Sequence, residues 1–257
     1  MLRKGQIFYE RYYVDSSADG IADFKTLCCL DDPNVESRIA TSADGDFFFV
    51  VKGSVVVDAD VATCLAYEFA KDSREATAKR ESLGIVQASV KWVNDHSHIV
   101  TNVRDLGVKG LPKCCSKTKG IWRARQDGSI LAVYKDTNEV ADEQVIAASD
   151  ICVSIQTAAV FESLGNIGEI PQTKVTFVTK FDSTSSVSLP TIILKSLATN
   201  FLKPLSSLRK KFDQSLRIDL INRLQVVENL KLLEPSSLTE DISHHFKRMN
   251  GKVRNPA

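Results

Sequence analysis

Residues 190–216 read PTIILKSLATNFLKPLSSLRKKFDQSL, and their apolar positions decide the class of fold. Ile193, Leu197, Phe201, Leu205, Leu208, Phe212 and Leu216 recur at spacings of four, four, four, three, four and four, which puts them on one stripe of a single long helix. Such a stripe has to bury against another element. Pro204 lies within it and has no amide proton for residue 200, so a kink or break is expected near Asn200 to Lys203. Residues 218–233 also read as helix, and 234–257, with Pro235-Ser236-Ser237, as a polar tail.

What precedes this helix reads as antiparallel strands. Residues 48–57 are β-prone and end in Asp58-Ala59-Asp60, where Asp60 can accept the free amides of a first helical turn; Val61, Leu65 and Phe69 then mark a short helix over about 60–72. Residues 84–94 and 98–106 flank the turn residues Asp95-His96-Ser97. Residues 121–125 and 130–135 flank Gln126-Asp127-Gly128-Ser129, where Gly supplies the positive φ that a tight hairpin needs. Two further strands are expected over 151–156 and 174–182, joined through a loop at 165–171. Without βαβ alternation, a doubly wound parallel sheet is disfavoured. The expected fold is α+β: a curved antiparallel sheet wrapped around one long C-terminal helix, an arrangement that often leaves a cavity between the two.

Composition narrows the function classes. The chain has 257 residues, 43% of them hydrophobic and 25% charged, which excludes disorder, collagen and coiled coil as descriptions of the whole. Thirty-three basic against 32 acidic residues give +1, too balanced for a general nucleic-acid binder. No apolar run approaches the ~20 residues of a membrane-spanning helix, and the N-terminus lacks the apolar core of a secretory signal, so a cytoplasmic location is expected. The six cysteines, at 28, 29, 64, 114, 115 and 152, lack C-x-x-C spacing and read as reduced thiols; no metal site and no cofactor are expected. None of the hydrolase, metalloprotease, P-loop or dinucleotide motifs occurs, Gly165-Asn166-Ile167-Gly168 is too weak for a phosphate loop, and His244 and His245 fall in the polar tail. No catalytic residue is assigned.

From about Phe47 to Asp219 the sequence resembles a StAR-related lipid-transfer (START) domain of the helix-grip superfamily. Four stretches carry the likeness: residues 51–58 with the helix 61–69, Lys119 to Arg125 with its Asp-Gly hairpin, Ile170 to Phe177 with Asp182, and Ser188-Leu189-Pro190 opening the long helix. Where many members have Arg-Asp-Phe before the Trp-containing strand, this chain reads Leu111 to Lys117, and Arg104-Asp105-Leu106 lies earlier. That departure weakens the expectation of a cavity-facing Arg that reads a charged headgroup. The resemblance implies a START-like lipid-binding domain over 47–219; ahead of it, the half-polar residues 1–46 read as a helix-and-loop lead-in packed on the domain, and after it 220–257 read as a helical extension with a polar tail. The resemblance also implies non-catalytic binding of a hydrophobic lipid such as a sterol, phospholipid or sphingolipid, for transfer or sensing.

Expected cavity residues are the apolar Val90, Trp92, Phe177, Ile193, Leu197 and Phe201, with Arg104, Arg123 and Gln156 as polar candidates; each of the three points to solvent instead if it lies on the outer face of its strand. The apolar stripe can equally plug the sheet as core, since both roles need the same side chains. Residues 104–125 carry a net +6 and residues 190–217 a net +5, which read either as solvated faces or as transient contacts with an anionic membrane surface. Two other roles fit the same fold. One is a ligand-free regulatory domain that binds other domains or a protein partner. The other is a helix-grip cyclase or hydrolase, which needs ionisable groups of perturbed pKa in the cavity.

Overall fold

The computed structural model describes residues 1–10, 25–27, 32–41, 48–105, 107, 109, 112–139, 151–183 and 191–232. The tail 234–257, the Ser188-Leu189-Pro190 step and the vicinal Cys28 and Cys29 lie outside them. Alternating apolar side chains build one antiparallel sheet from β1 (Lys25–Thr26), β2 (Glu36–Thr41), β3 (Phe48–Val57), β4 (Ile85–Asn94), β5 (Ser97–Arg104), β6 (Cys114–Ala124), β7 (Ile130–Asp136), β8 (Ile151–Ile167) and β9 (Ile170–Ser183). Their order across the sheet is β1-β2-β3-β9-β8-β7-β6-β5-β4, so the sheet is open, and a short parallel pairing ties Cys115 of β6 to Cys152 of β8. The helix-grip α+β architecture is the one expected.

Several elements differ in extent from the sequence expectation. The acidic lead-in contributes two edge strands, because Glu36–Thr41 pairs along β3 from Ser54 to Phe49. β8 runs 17 residues instead of six: Ala158, Ala159, Val160 and Phe161 are all fully buried, one pair on each face, and small Ala residues fit there without giving a strand-like sequence signal. The Gly128 turn between β6 and β7 has φ 80°, as its hairpin requires.

The two faces of the sheet are covered differently. On one face, Phe8 and Tyr9 of α1 (Leu2–Tyr9) bury against Val50, Val133, Val160 and Val178. On the other lies α4 (Thr191–Lys211), whose Leu197, Leu202, Leu205 and Leu208 pack on Phe49, Val51, Val55, Phe177 and Phe181. Gly53 permits the close approach: a Cβ there would lie 3.0 Å from Leu202, Leu205 and the Glu36 carbonyl. α4 passes through Pro204 without the expected break; the helix ends instead at Lys211, ahead of Asp213-Gln214, and α5 (Ser215–Leu232) starts afresh.

Among the described residues, those within 1–166 and 171–213 form one compact unit, and 167–170 with 214–232 form a second. Within the second unit, Glu169 pairs with Arg217, and Gly168 sits under Ile221. The α5 side chains Leu216, Leu220, Leu224 and Leu230 are exposed. No helix among the described residues is long and apolar enough to cross a membrane.

Candidate ligand cavity

The segment between β3 and β4 roofs the concave face. Asp60 caps α2 (Val61–Phe69) by accepting from the Thr63 amide at 2.8 Å and the Thr63 hydroxyl at 2.7 Å. Ser73 caps α3 (Arg74–Lys79) by accepting from the Ala76 amide, and a 3-10 turn at Glu81–Leu83 leads through Gly84, at φ 70°, into β4. Between this roof, the concave side of β4 and β5, and α4 is a cavity of about 480 Å³. That volume falls in the ~300–1,000 Å³ range of small-molecule sites.

Its walls are of two kinds. Ala70, Leu83, Ile85, Val90 and Val100 make an apolar side. The opposite side is the polar face of α4, with Thr199, Lys203, Pro204, Ser206, Ser207 and Lys210. α4 therefore spends its leucine stripe on the core and turns its other face to the cavity. Pro204 adds to that polarity, since the Asn200 carbonyl on the same face loses its helical donor.

Tyr134 of β7 forms part of the cavity's inner lining. It is 8% exposed, and among the described residues neither its hydroxyl nor that of Ser206 has a hydrogen-bond partner. Burial, reinforced by the nearby Glu68 charge, pushes the Tyr134 phenol well above its ordinary pKa, so it remains a neutral donor. Gly120 makes room for it: a Cβ there would come within 2.9 Å of the Tyr134 ring and 2.7 Å of His98 Nε2.

Charges around the cavity are unevenly matched. Glu75 accepts from Lys79 at 2.8 Å, Lys211 at 2.9 Å and the Tyr67 hydroxyl at 2.8 Å. These bonds, led by that from Lys79, hold its carboxyl at about 2. Burial alone would lower the Lys79 pKa, but its bonds to Glu75 and to Tyr67, the latter 2.6 Å, raise it on balance. Burial raises the Tyr67 phenol. Glu68 pairs with Lys71, and Arg80 donates to the Lys71 carbonyl at 3.2 Å. Lys203 and Lys210 are exposed, mark the cavity's opening, and have no ion-pair partner among the described residues.

Of the residues expected from sequence, Val90 lies in the cavity wall. Trp92 is on the same concave face but 42% exposed, with its Nε1 donating to Asp72 at 2.7 Å. Phe177 and Leu197 are in the closed core, and Phe201 stacks obliquely on Phe49 and Phe181 at 6.3 and 6.1 Å. Ile193 belongs to α4, but its side chain lies outside the described residues. Arg104 faces α4, its guanidinium 5.7 Å from the Phe201 ring centre and its Nη1 without a partner among the described residues; burial lowers its pKa. Arg123 is exposed, and strand alternation puts it, with Ile121, on the α1 face. Gln156 falls on that face too, in phase with Ala158 and Val160.

Tyr134 escaped the sequence reading, and Lys203 and Lys210 entered it only as members of the basic segment 190–217, not as cavity lining. A signal for the α4 residues was present: Thr199, Lys203, Ser206 and Lys210 recur at helical spacing, and Thr and Ser are weak choices for a solvated mid-helix face. Nothing in the strand sequence of β7 separates Tyr134 from an ordinary core tyrosine. Among the described residues no group of three or more His, Cys, Asp or Glu could hold a metal ion.

This combination of an open antiparallel sheet, a C-terminal gripping helix and a roofed concave cavity is the START-like helix-grip fold. Solved structures that share it include the human StarD13 (DLC2) lipid transfer and protein localization domain, at 16% identity and TM-score 0.54 over 83% of this chain and 96% of that one. Human StAR-related lipid transfer protein 5 matches at 12% identity and TM-score 0.55, over 82% of this chain and 97% of that one. A STAR-related lipid transfer protein fragment from Xanthomonas axonopodis matches at 13% identity and TM-score 0.50, over 76% and 100%. No protein-family model and no curated protein matches the sequence.

Proposed function

We propose that this chain binds a lipid-like amphiphile without catalysis, in the cavity between the concave sheet and α4, for transfer or sensing. The observation that carries the reading is the cavity itself, about 480 Å³ with apolar side chains from the sheet and roof and polar ones from α4 and the roof in its lining. Apolar contact supplies roughly 25 cal/mol per Å² of buried ligand surface, and the polar side chains orient the ligand. Lipid transfer in the names of three proteins of the same fold adds support.

A non-catalytic role is favoured by the direction of the pKa shifts. Tyr67, Tyr134 and Lys79 move up and Glu75 moves down to about 2, so each keeps its ordinary charge state at neutral pH instead of being poised to move a proton. The expected setting is the cytoplasm, with residues 47–219 as the ligand-binding domain and the basic segments 104–125 and 190–217 making transient contact with anionic membranes. A second reading, a ligand-free regulatory domain that binds other domains or a protein partner, draws on the apolar stripe of α4, whose Leu202 and Leu205 are fully buried in the core.

Native mass spectrometry of the protein after incubation with a total-lipid extract tests the reading. A stoichiometric lipid adduct is expected, together with vesicle-to-vesicle transfer of that lipid. If no class of lipid stays bound, the ligand-free reading replaces it.

A further inference from the structure

The cavity has more to say about its ligand than that it is apolar. Its lining carries Lys71, Lys79, Arg80, Lys203 and Lys210 against Glu68 and Glu75, a surplus of three positive charges. Both carboxylates are already matched, Glu68 by Lys71 and Glu75 by Lys79 and Lys211. The unmatched ammonium groups of Lys203 and Lys210 stand one above the other on α4, two turns apart at the opening. At the closed side the Tyr134 hydroxyl, in a side chain more than nine-tenths buried, has no partner among the described residues. An unsatisfied buried donor costs about 1–3 kcal/mol, which a ligand oxygen at that point would recover.

Resting on the lipid-binding reading above, we propose that the cavity selects a compact acidic amphiphile: a carboxylate or phosphate head held at the opening by Lys203 and Lys210, an apolar body along Ile85, Val90 and Val100, and an oxygen at the far end that accepts from Tyr134. Charge-assisted bonds to the head supply more selectivity than the apolar body, because they are roughly twice as strong as neutral ones and one methylene more or less discriminates weakly. Clustered positive charge beside low-dielectric walls also raises the local concentration of anions.

The test is calorimetric titration of the whole chain with dodecanoate, dodecyl phosphate, dodecan-1-ol and ω-hydroxydodecanoate. The two acids should bind at least about tenfold more tightly than the alcohol. Lys203→Gln combined with Lys210→Gln should remove that advantage and leave alcohol binding unchanged, whereas Lys91→Gln, an exposed lysine outside the cavity, should not. ω-Hydroxydodecanoate should bind more tightly than dodecanoate, and Tyr134→Phe should cancel that gain, worth about fivefold for one hydrogen bond. Whichever acid binds more tightly tells a carboxylate from a phosphate head. Equal binding of acid and alcohol overturns the acidic-ligand inference and leaves lipid binding standing. So does an acid preference that survives the double lysine variant, or a total-lipid adduct that is neutral. Failure of every probe and of the lipid extract overturns both.

Discussion

His98 is fully buried, with its ring 4.2 Å from Phe69, 5.2 Å from Trp92 and 5.9 Å from Tyr134, and neither ring nitrogen has a partner among the described residues. Burial first, then the Lys71 charge, lowers its pKa to about 4 from 6.5. Between those two pH values the unfolded chain holds a proton that the native chain does not, so stability rises with pH across the window. His98 is neutral in both states above pH 6.5 and costs nothing there. As pH falls from 6.5 to 4 it removes up to about 3 kcal/mol, and the loss levels off below 4. Urea titrations at a series of pH values should show this slope, and His98→Asn should flatten it; an unchanged slope would move the effect to another group. Thiol reactivity divides in the same residue-by-residue way. Burial pushes Cys64 up to about 12, and Cys114 and Cys115 are also buried, while Cys152 is exposed. Iodoacetamide should therefore label Cys152 in the native protein and reach Cys64, Cys114 and Cys115 only on unfolding, which peptide mapping would read directly.

Among the elements, α4 is the one whose two faces do different work. Leu202→Ala and Leu205→Ala each leave a void against β3 and should cost about 2–5 kcal/mol in denaturant unfolding. Pro204→Ala should act in the opposite direction: it gives the Asn200 carbonyl a donor again and should stabilise the fold by up to about 3 kcal/mol, seen as a raised melting temperature. The sequence made this helix legible because Ile193, Leu197, Phe201, Leu205 and Leu208 recur at helical spacing within it, although Phe212 and Leu216 fall beyond its end; it made the β6–β7 hairpin legible because Asp127-Gly128 admits few other conformations. The length of β8 was hidden by its alanines, and the cavity wall was hidden because a polar helix face reads as solvated. That face, with Thr199, Lys203 and Ser206, lines the cavity, and its one sequence mark is Thr and Ser at helical spacing in mid-helix. Val90 was identifiable because a strand residue on the concave face has one place to point; Phe177, on the same face, meets α4 first, and Leu197 of α4 packs into the core with it.

For the molecule as a whole, the cavity has one firm wall and one light one. α4 is fixed to β3 by its leucines, by the Arg209 guanidinium donating to the Val56 carbonyl at 2.6 Å, and by Arg209 lying 4.0 Å from the buried Asp58. Within the roof, α2 is tied into the core by Cys64, Leu65 and Phe69, whereas α3 reaches α4 through Glu75, whose pairs with Lys79 and Lys211 are all more than a third exposed. Exposed pairs contribute about 0–1 kcal/mol each and weaken as salt screens them. Lys211→Ala should thus leave unfolding stability nearly unchanged while speeding amide exchange over residues 74–83, a combination that separates the roof from the body of the fold.

The Glu75 contacts also set a clock. If the roof must lift for a guest to enter or leave, the same opening step lies on both paths. Added salt should then quicken arrival and departure of an uncharged guest such as dodecan-1-ol by the same factor, and occupancy at equilibrium would stay where it was. Stopped-flow rates at rising ionic strength would show residence time, not affinity, to be the quantity that these few surface charges control.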